Sequence, residues 1–154
     1  MFPLNLPHID ANIKQEGKKT TIFDPLRKRF VSLTPEEWVR QHFVSFLINC
    51  KGYPTTLIAN EISIKLNGMS RRCDSVVFSS SLEPVIIVEY KAPSVAITKK
   101  TFQQANSYNQ VLRVPYIIIT NGVSHYCYHI DYSTMSLQFL NDIPTYAEIK
   151  ALNT

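Results

Sequence analysis

Two apolar segments joined by a short polar link constrain this chain more than any other feature. Arg72-Cys-Asp-Ser-Val-Val-Phe78 and Pro84-Val-Ile-Ile-Val-Glu-Tyr-Lys91 flank Ser79-Ser-Ser-Leu-Glu83. Both read as strands, in which successive side chains alternate between the two faces. Val85, Ile87, Glu89 and Lys91 therefore share one face, and Ile86, Val88, Tyr90 and Ala92 the other. The first face is apolar until it ends in a carboxylate and an ammonium, roughly 6–7 Å apart along the strand. A hairpin folded about the Ser81–Leu82 bond sets Asp74 opposite Glu89. Two carboxylates converging at the end of a buried sheet repel unless a cation lies between them, and hard divalent cations prefer oxygen ligands. Asp74, Glu89 and Lys91 thus make a candidate metal site.

The rest of the chain is of a size to bury such a sheet. Its 154 residues predict one domain that removes about 70% of its unfolded surface from water. A composition 45% hydrophobic with four glycines is that of a globular chain. The formal charge of +4 permits a polyanionic partner without requiring one. Cys50, Cys73 and Cys127 are odd in number and far apart, which argues against a disulfide scaffold or a zinc knuckle. The amino terminus lacks the charged start and long apolar run of a signal peptide, and no stretch approaches the roughly 20 apolar residues of a membrane helix. The expected setting is cytoplasmic.

Taken in order, residues 1–19 read as a loosely packed leader, docking by Phe2, Leu4, Leu6 and Ile9, and residues 20–154 as the domain. Thr20–Phe23 and Phe30–Leu33 are short strands around a turn that carries Arg27, Lys28 and Arg29, a basic trio that reads as solvated, with phosphate contact as the alternative. Thr34-Pro-Glu-Glu37 has the marks of a helix start: Thr as N-cap, Pro at the first helical position, Glu three residues after the cap. The helix runs to about Asn49 on a stripe of Trp38, Val39, His42, Phe43, Phe46 and Leu47, with Gly52 as its stop. Leu57–Leu66, Arg71–Phe78 and Pro84–Ala92 form an antiparallel meander with a turn at Asn67-Gly68. A second helix spans about Thr98 to Arg113, with Gln104 and Tyr108 one above the other. Tyr116-Ile-Ile-Ile-Thr120 is a buried strand reached by a parallel crossover and placed beside the Glu89 strand. Ser124–Ile130 and Ser136–Leu140 are the last strands, before a polar tail.

Asp74, then Glu89-Tyr-Lys91, then a helix bearing Gln104 and Tyr108: this pattern resembles the PD-(D/E)XK nuclease superfamily. More closely, it resembles the amino-terminal nuclease domain of type I restriction enzyme R subunits and small stand-alone relatives. The likeness runs from about Ile22 to Pro144 and includes Phe23-Asp-Pro-Leu-Arg-Lys28, Thr34-Pro-Glu-Glu-Trp-Val-Arg40, Val88-Glu-Tyr-Lys-Ala-Pro93 and Val114-Pro-Tyr-Ile-Ile-Ile-Thr-Asn-Gly122. It implies an α/β (α+β) restriction-endonuclease-like fold, an αβββαβ core with a central mixed sheet flanked by helices. It also implies a Mg²⁺-dependent DNA endonuclease in which Asp74, Glu89 and the Tyr90 carbonyl ligate Mg²⁺, with Mn²⁺ as a substitute. Lys91 would orient or help deprotonate the attacking water, and Gln104 and Tyr108 would lie over the site. Glu37 matches the extra acidic ligand that the first helix of the family often supplies, and capping explains it equally well. Cys73 stands where the commonest motif has Pro.

The implied partner is DNA, with other restriction-modification subunits and a homodimeric arrangement also open. The glycines, at 17, 52, 68 and 122, begin no phosphate loop of the form G-x-x-x-x-G-K-[ST], so the chain does not hydrolyse ATP by that route. The plainer alternatives are a salt-bridged Glu89–Lys91 pair at a strand end, and a non-catalytic DNA-binding or assembly module on the same fold. RNA or a branched junction are alternative substrates. Arg71 and Arg72 suit a carboxylate or a phosphate equally. His42 reads as a packed core residue, and His125 and His129, on one strand face without a third ligand, as structural or surface residues.

Overall fold

The structure, a computed structural model, describes residues 2–66 and 68–152. The side chains of Leu66, Ser107, Tyr108, Gln110, Val111, Leu112 and Leu152 lie outside that description. Three strands come first, β1 (Ile13–Glu16), β2 (Lys19–Asp24) and β3 (Arg29–Ser32), paired as an antiparallel meander. Helix α1 (Pro35–Lys51) follows, then β4 (Ile58–Leu66), β5 (Met69–Phe78) and β6 (Pro84–Tyr90). Helix α2 (Lys99–Leu112) crosses to β7 (Tyr116–Thr120), and β8 (His125–Asp131), β9 (Ser136–Leu140) and α3 (Tyr146–Leu152) complete the chain. The main sheet runs β4-β5-β6-β7-β8-β9, with β6 and β7 parallel and every other neighbour antiparallel. From α1 to β7 the order is αβββαβ on a mixed sheet, as the resemblance implied.

Alternation along the central strands decides what each helix covers. Ile86, Val88 and Tyr90 on β6 and Ile118 on β7 face Val39, Phe43 and Leu47 of α1. On the opposite side Ile117 and Ile119 pack with Ala105 of α2, with Phe102 against the same cluster. All five residues of β7 are buried, which a continuous apolar run between two helices requires. Each fully buried Ile or Val here contributes about 1.5–3 kcal/mol relative to leaving it in water. Helix α1 starts where the sequence marks it: the Thr34 hydroxyl accepts the Glu37 N–H at 3.0 Å, and Pro35 opens the first turn. It ends at Gly52, whose φ of 76° is left-handed and favours a residue without a Cβ.

Three stretches differ from the sequence reading. Residues 13–16, placed in the leader, form β1, whose four side chains are all exposed and so carry no apolar alternation to read. Leu4 and Leu6 do pack on the core, whereas Phe2 is exposed. The backbone of Asn5 donates to the Gly122 carbonyl at 2.8 Å. The polar tail forms α3, capped by Thr145, whose hydroxyl accepts the Glu148 N–H while the Glu148 carboxylate accepts the Thr145 N–H, each at 3.2 Å. The turn between β2 and β3 is not fully solvated: Arg27 is largely buried and paired with Asp24 and Glu37. The turn predicted at Asn67 falls on a residue outside those described.

Candidate active site

The β5–β6 hairpin pairs Ser75 with Val88, Val76 with Ile87 and Val77 with Ile86, so continuing the ladder sets Asp74 across from Glu89. A register slip at Phe78 lies in the turn end of the hairpin, away from the carboxylates. Across this pair the Asp74 carboxylate opposes ionisation of Glu89. Asp74 is anchored at both ends. Its Oδ2 accepts the Tyr90 N–H at 3.0 Å, and its carbonyl accepts Arg40 Nη1 at 2.7 Å. A strand residue turns its N–H and C=O to the same neighbour, so the Tyr90 carbonyl is turned to Asp74's side.

Glu89 is mostly buried and accepts a hydrogen bond from Arg71, which reaches it from β5. Burial, then the charge of Asp74, push the Glu89 carboxyl up to about 7, against the pull of Arg71 and Lys91. Arg72 instead pairs with Glu61 at 2.9 Å, so the two neighbouring arginines go to different carboxylates. Beside the carboxylates lies an open cleft of about 390 Å³ lined by Arg71, Glu89, Lys91, Thr101, Gln104 and Ile119. Lys91 continues β6 by donating its N–H to the Thr120 carbonyl at 2.9 Å, which keeps it in register with Glu89. Gln104 comes from α2, whose N-terminal half forms the other wall. Tyr108 lies four residues on along α2, and its side chain is outside those described. Thr101, one turn before Gln104, is a wall residue that the sequence reading did not name, although its i−3 spacing places it on the same helix face.

Glu37 stands elsewhere. Its carboxylate accepts from Arg27 Nη2 at 2.6 Å, Arg40 Nε at 3.0 Å and Gln41 Nε2 at 2.9 Å. It does not complete the capping box, since the Thr34 N–H goes to the Ser32 carbonyl. Burial opposes its charge, but Arg40, Arg27 and Gln41 outweigh that and hold its pKa below the usual carboxylate range. Arg40 links it to the site, for the same guanidinium bonds Glu37, Glu61 and the Asp74 carbonyl and lies against the Tyr90 ring. The β4–β5 ladder explains this arrangement. Asn60 pairs with Ser75 and Ile62 with Cys73, but Glu61 between them is left-handed at φ 54°, and Arg40 takes the carbonyl that Glu61 leaves. Sequence reasoning missed Arg40 because its partner is 34 positions away. The histidines behave as structural residues: His125 bonds Thr120 Oγ1 and the Asn5 carbonyl, and His42 the Trp38 carbonyl.

The donor set fits a hard divalent ion: two carboxylates opposite each other on neighbouring strands, a backbone carbonyl turned to the same side, and a Glu89 whose charge burial and Asp74 disfavour. Among the described residues no cluster of three or more His, Cys, Asp or Glu assembles, so such an ion would take its remaining ligands from water or substrate. No described helix is long and apolar enough to cross a membrane.

Comparison with known proteins bears on the family and the fold. A search of curated proteins gives no match. Among solved structures, a fragment assigned to an HsdR subunit of a type I restriction enzyme from Vibrio vulnificus YJ016 superposes with a TM-score of 0.55 at 22% identity. The match covers 77% of this chain and 25% of that one, so the likeness is one of fold, over a quarter of the neighbour's length. Residues 35–144, from the start of α1 to the end of the loop after β9, match the family model of the type I restriction enzyme R protein N terminus. That is well over half of the sequence, and it contains both carboxylates, Lys91 and Gln104: the chain belongs to the family of type I restriction enzyme R protein N termini.

Proposed function

We propose that this domain is a Mg²⁺-dependent DNA endonuclease that hydrolyses phosphodiesters with water. The observation that carries this reading is the placement of Asp74 opposite Glu89, which lines a cleft together with Lys91 and Gln104. Asp74, Glu89 and the Tyr90 carbonyl are the groups that would hold the ion. When bound, Mg²⁺ supplies a Lewis acid for the phosphoryl oxygen and lowers the pKa of water. Lys91 orients the attacking water and offsets the charge that grows on the scissile phosphate. Gln104 holds the strand from the opposite wall with its amide, which can donate and accept. Arg40 fixes the Asp74 backbone, and Tyr90 fixes its carboxylate, so the ligand is oriented before any ion arrives.

A second reading draws on the Arg71–Glu89 pair. A cation already on Glu89 is what a non-catalytic DNA-binding or assembly module would keep once the metal was no longer used. A substrate panel separates the two. Linear duplex, single-stranded RNA and a branched junction are each incubated with the protein in Mg²⁺ or EDTA. Internal cleavage of the duplex in Mg²⁺ alone is expected. Salt-sensitive binding to the duplex with no cleavage of any substrate favours the non-catalytic module.

A further inference from the structure

Arg71 does more in this site than neutralise a neighbour, an inference that rests on the reading just given. The residue sits on β5 three positions before Asp74, largely buried, with its guanidinium on Glu89 Oε1. That oxygen belongs to the carboxylate a divalent ion would share with Asp74. A guanidinium and a divalent ion on one carboxylate repel each other at a few ångströms and compete for the same lone pairs. An ion that takes Oε1 therefore displaces Arg71. Arg71 also lines the cleft beside Lys91 and Gln104, the space a bound strand would enter. Its planar fork of donors matches the oxygens of a phosphodiester.

We propose that Arg71 is a two-position cation: it holds Glu89 in the metal-free protein and transfers to the DNA phosphodiester when a divalent ion takes Glu89. Two consequences follow from the shared carboxylate. The ion binds weakly in the absence of DNA, because an ion pair must break. Ion and DNA then favour each other's binding by one and the same factor, since the same side chain couples both equilibria.

The test titrates Mn²⁺ calorimetrically at pH 8 into the wild type, Arg71→Gln and Arg71→Lys, with folding checked by circular dichroism. Duplex affinity is read by fluorescence anisotropy in Ca²⁺ and in EDTA. Arg71→Gln is expected to bind Mn²⁺ about tenfold more tightly than the wild type, with Arg71→Lys between them. The wild type is expected to gain duplex affinity in Ca²⁺, and Arg71→Gln to lose most of that gain. Mn²⁺ binding no tighter in Arg71→Gln than in the wild type overturns the competition and leaves the nuclease reading standing. Tighter Mn²⁺ binding with an undiminished gain in Ca²⁺ overturns the transfer to phosphate. Absence of Mn²⁺ binding from the wild type and both variants removes the nuclease reading and this inference together. Should Arg71→Gln fail to fold, Arg71→Lys decides, because it keeps the charge and loses the fork.

Discussion

Glu89 closes an otherwise apolar strand, where burial and the neighbouring Asp74 push its carboxyl up to about 7 from an ordinary 4.5. A carboxyl raised on folding favours the protonated folded state. Its contribution to stability is fully present below the unfolded value and is lost as pH rises through the folded one. In EDTA, urea unfolding is expected to show this group costing about 1–2 kcal/mol between roughly pH 5.5 and pH 8 in the wild type relative to Glu89→Gln, a comparison in which the opposite contributions of His42 and His125, whose values burial lowers, cancel. Saturating Mn²⁺ should shrink that difference, because a bound cation favours the ionised form. The alternation of β6 made Glu89 and Lys91 legible in the sequence, and the symmetry of the hairpin made Asp74 their neighbour. Arg71 was not resolved there, since an arginine at a strand edge serves a carboxylate as readily as a phosphate, and only the fold shows which is near.

Helix α1 shows how an element can be legible while its chemistry is not. Thr34-Pro-Glu-Glu37 marks its start, and Thr34 and Pro35 act as that pattern expects. Glu37 is drawn away from the cap by Arg27, ten positions earlier, and by Arg40, which also holds Asp74. Long-range ion pairs leave no local signature. Glu37→Ala takes one shared carboxylate from two largely buried guanidinium groups, which keep Asp24 and Glu61 as partners, and is expected to cost about 1–3 kcal/mol by urea unfolding, with Glu37→Gln costing less. Asp24, Glu37 and Glu61 all have lowered values despite burial, so the stability they add is present above their unfolded values and lost as pH falls through the folded ones. Acid unfolding beginning near pH 4 is the expected result, moved to higher pH in Glu37→Gln. At α3 the lesson is reversed. Thr145-Tyr-Ala-Glu148 carries the same capping signature and completes it, but with only seven helical residues its apolar stripe is too short to read.

Across the whole molecule, the order αβββαβ follows from rules of connection rather than from any single segment. Strand, helix, strand in parallel needs a crossover, and the all-apolar run at Tyr116–Thr120 needs helices on both sides. Those two constraints put β7 beside β6, α1 on one face and α2 on the other, and so put Gln104 across a cleft from Glu89. What they do not reach is polar pairing at the rim, which is why β1 became apparent only in the fold, whereas the docking of Leu4 and Leu6 was legible from their apolar side chains in a polar leader. The proposed endonuclease depends on this whole arrangement, because its ligands come from β5 and β6 and its far wall from α2. Its most direct test is nicking of supercoiled plasmid by the wild type in Mg²⁺, Mn²⁺ or EDTA, beside Lys91→Ala purified identically. Divalent-dependent nicking that falls at least about 100-fold in Lys91→Ala, with Mn²⁺ binding by that variant retained, is the predicted result. Equal nicking by both proteins, or none by a wild type that binds no divalent ion, would contradict a catalytic centre at Asp74, Glu89 and Lys91.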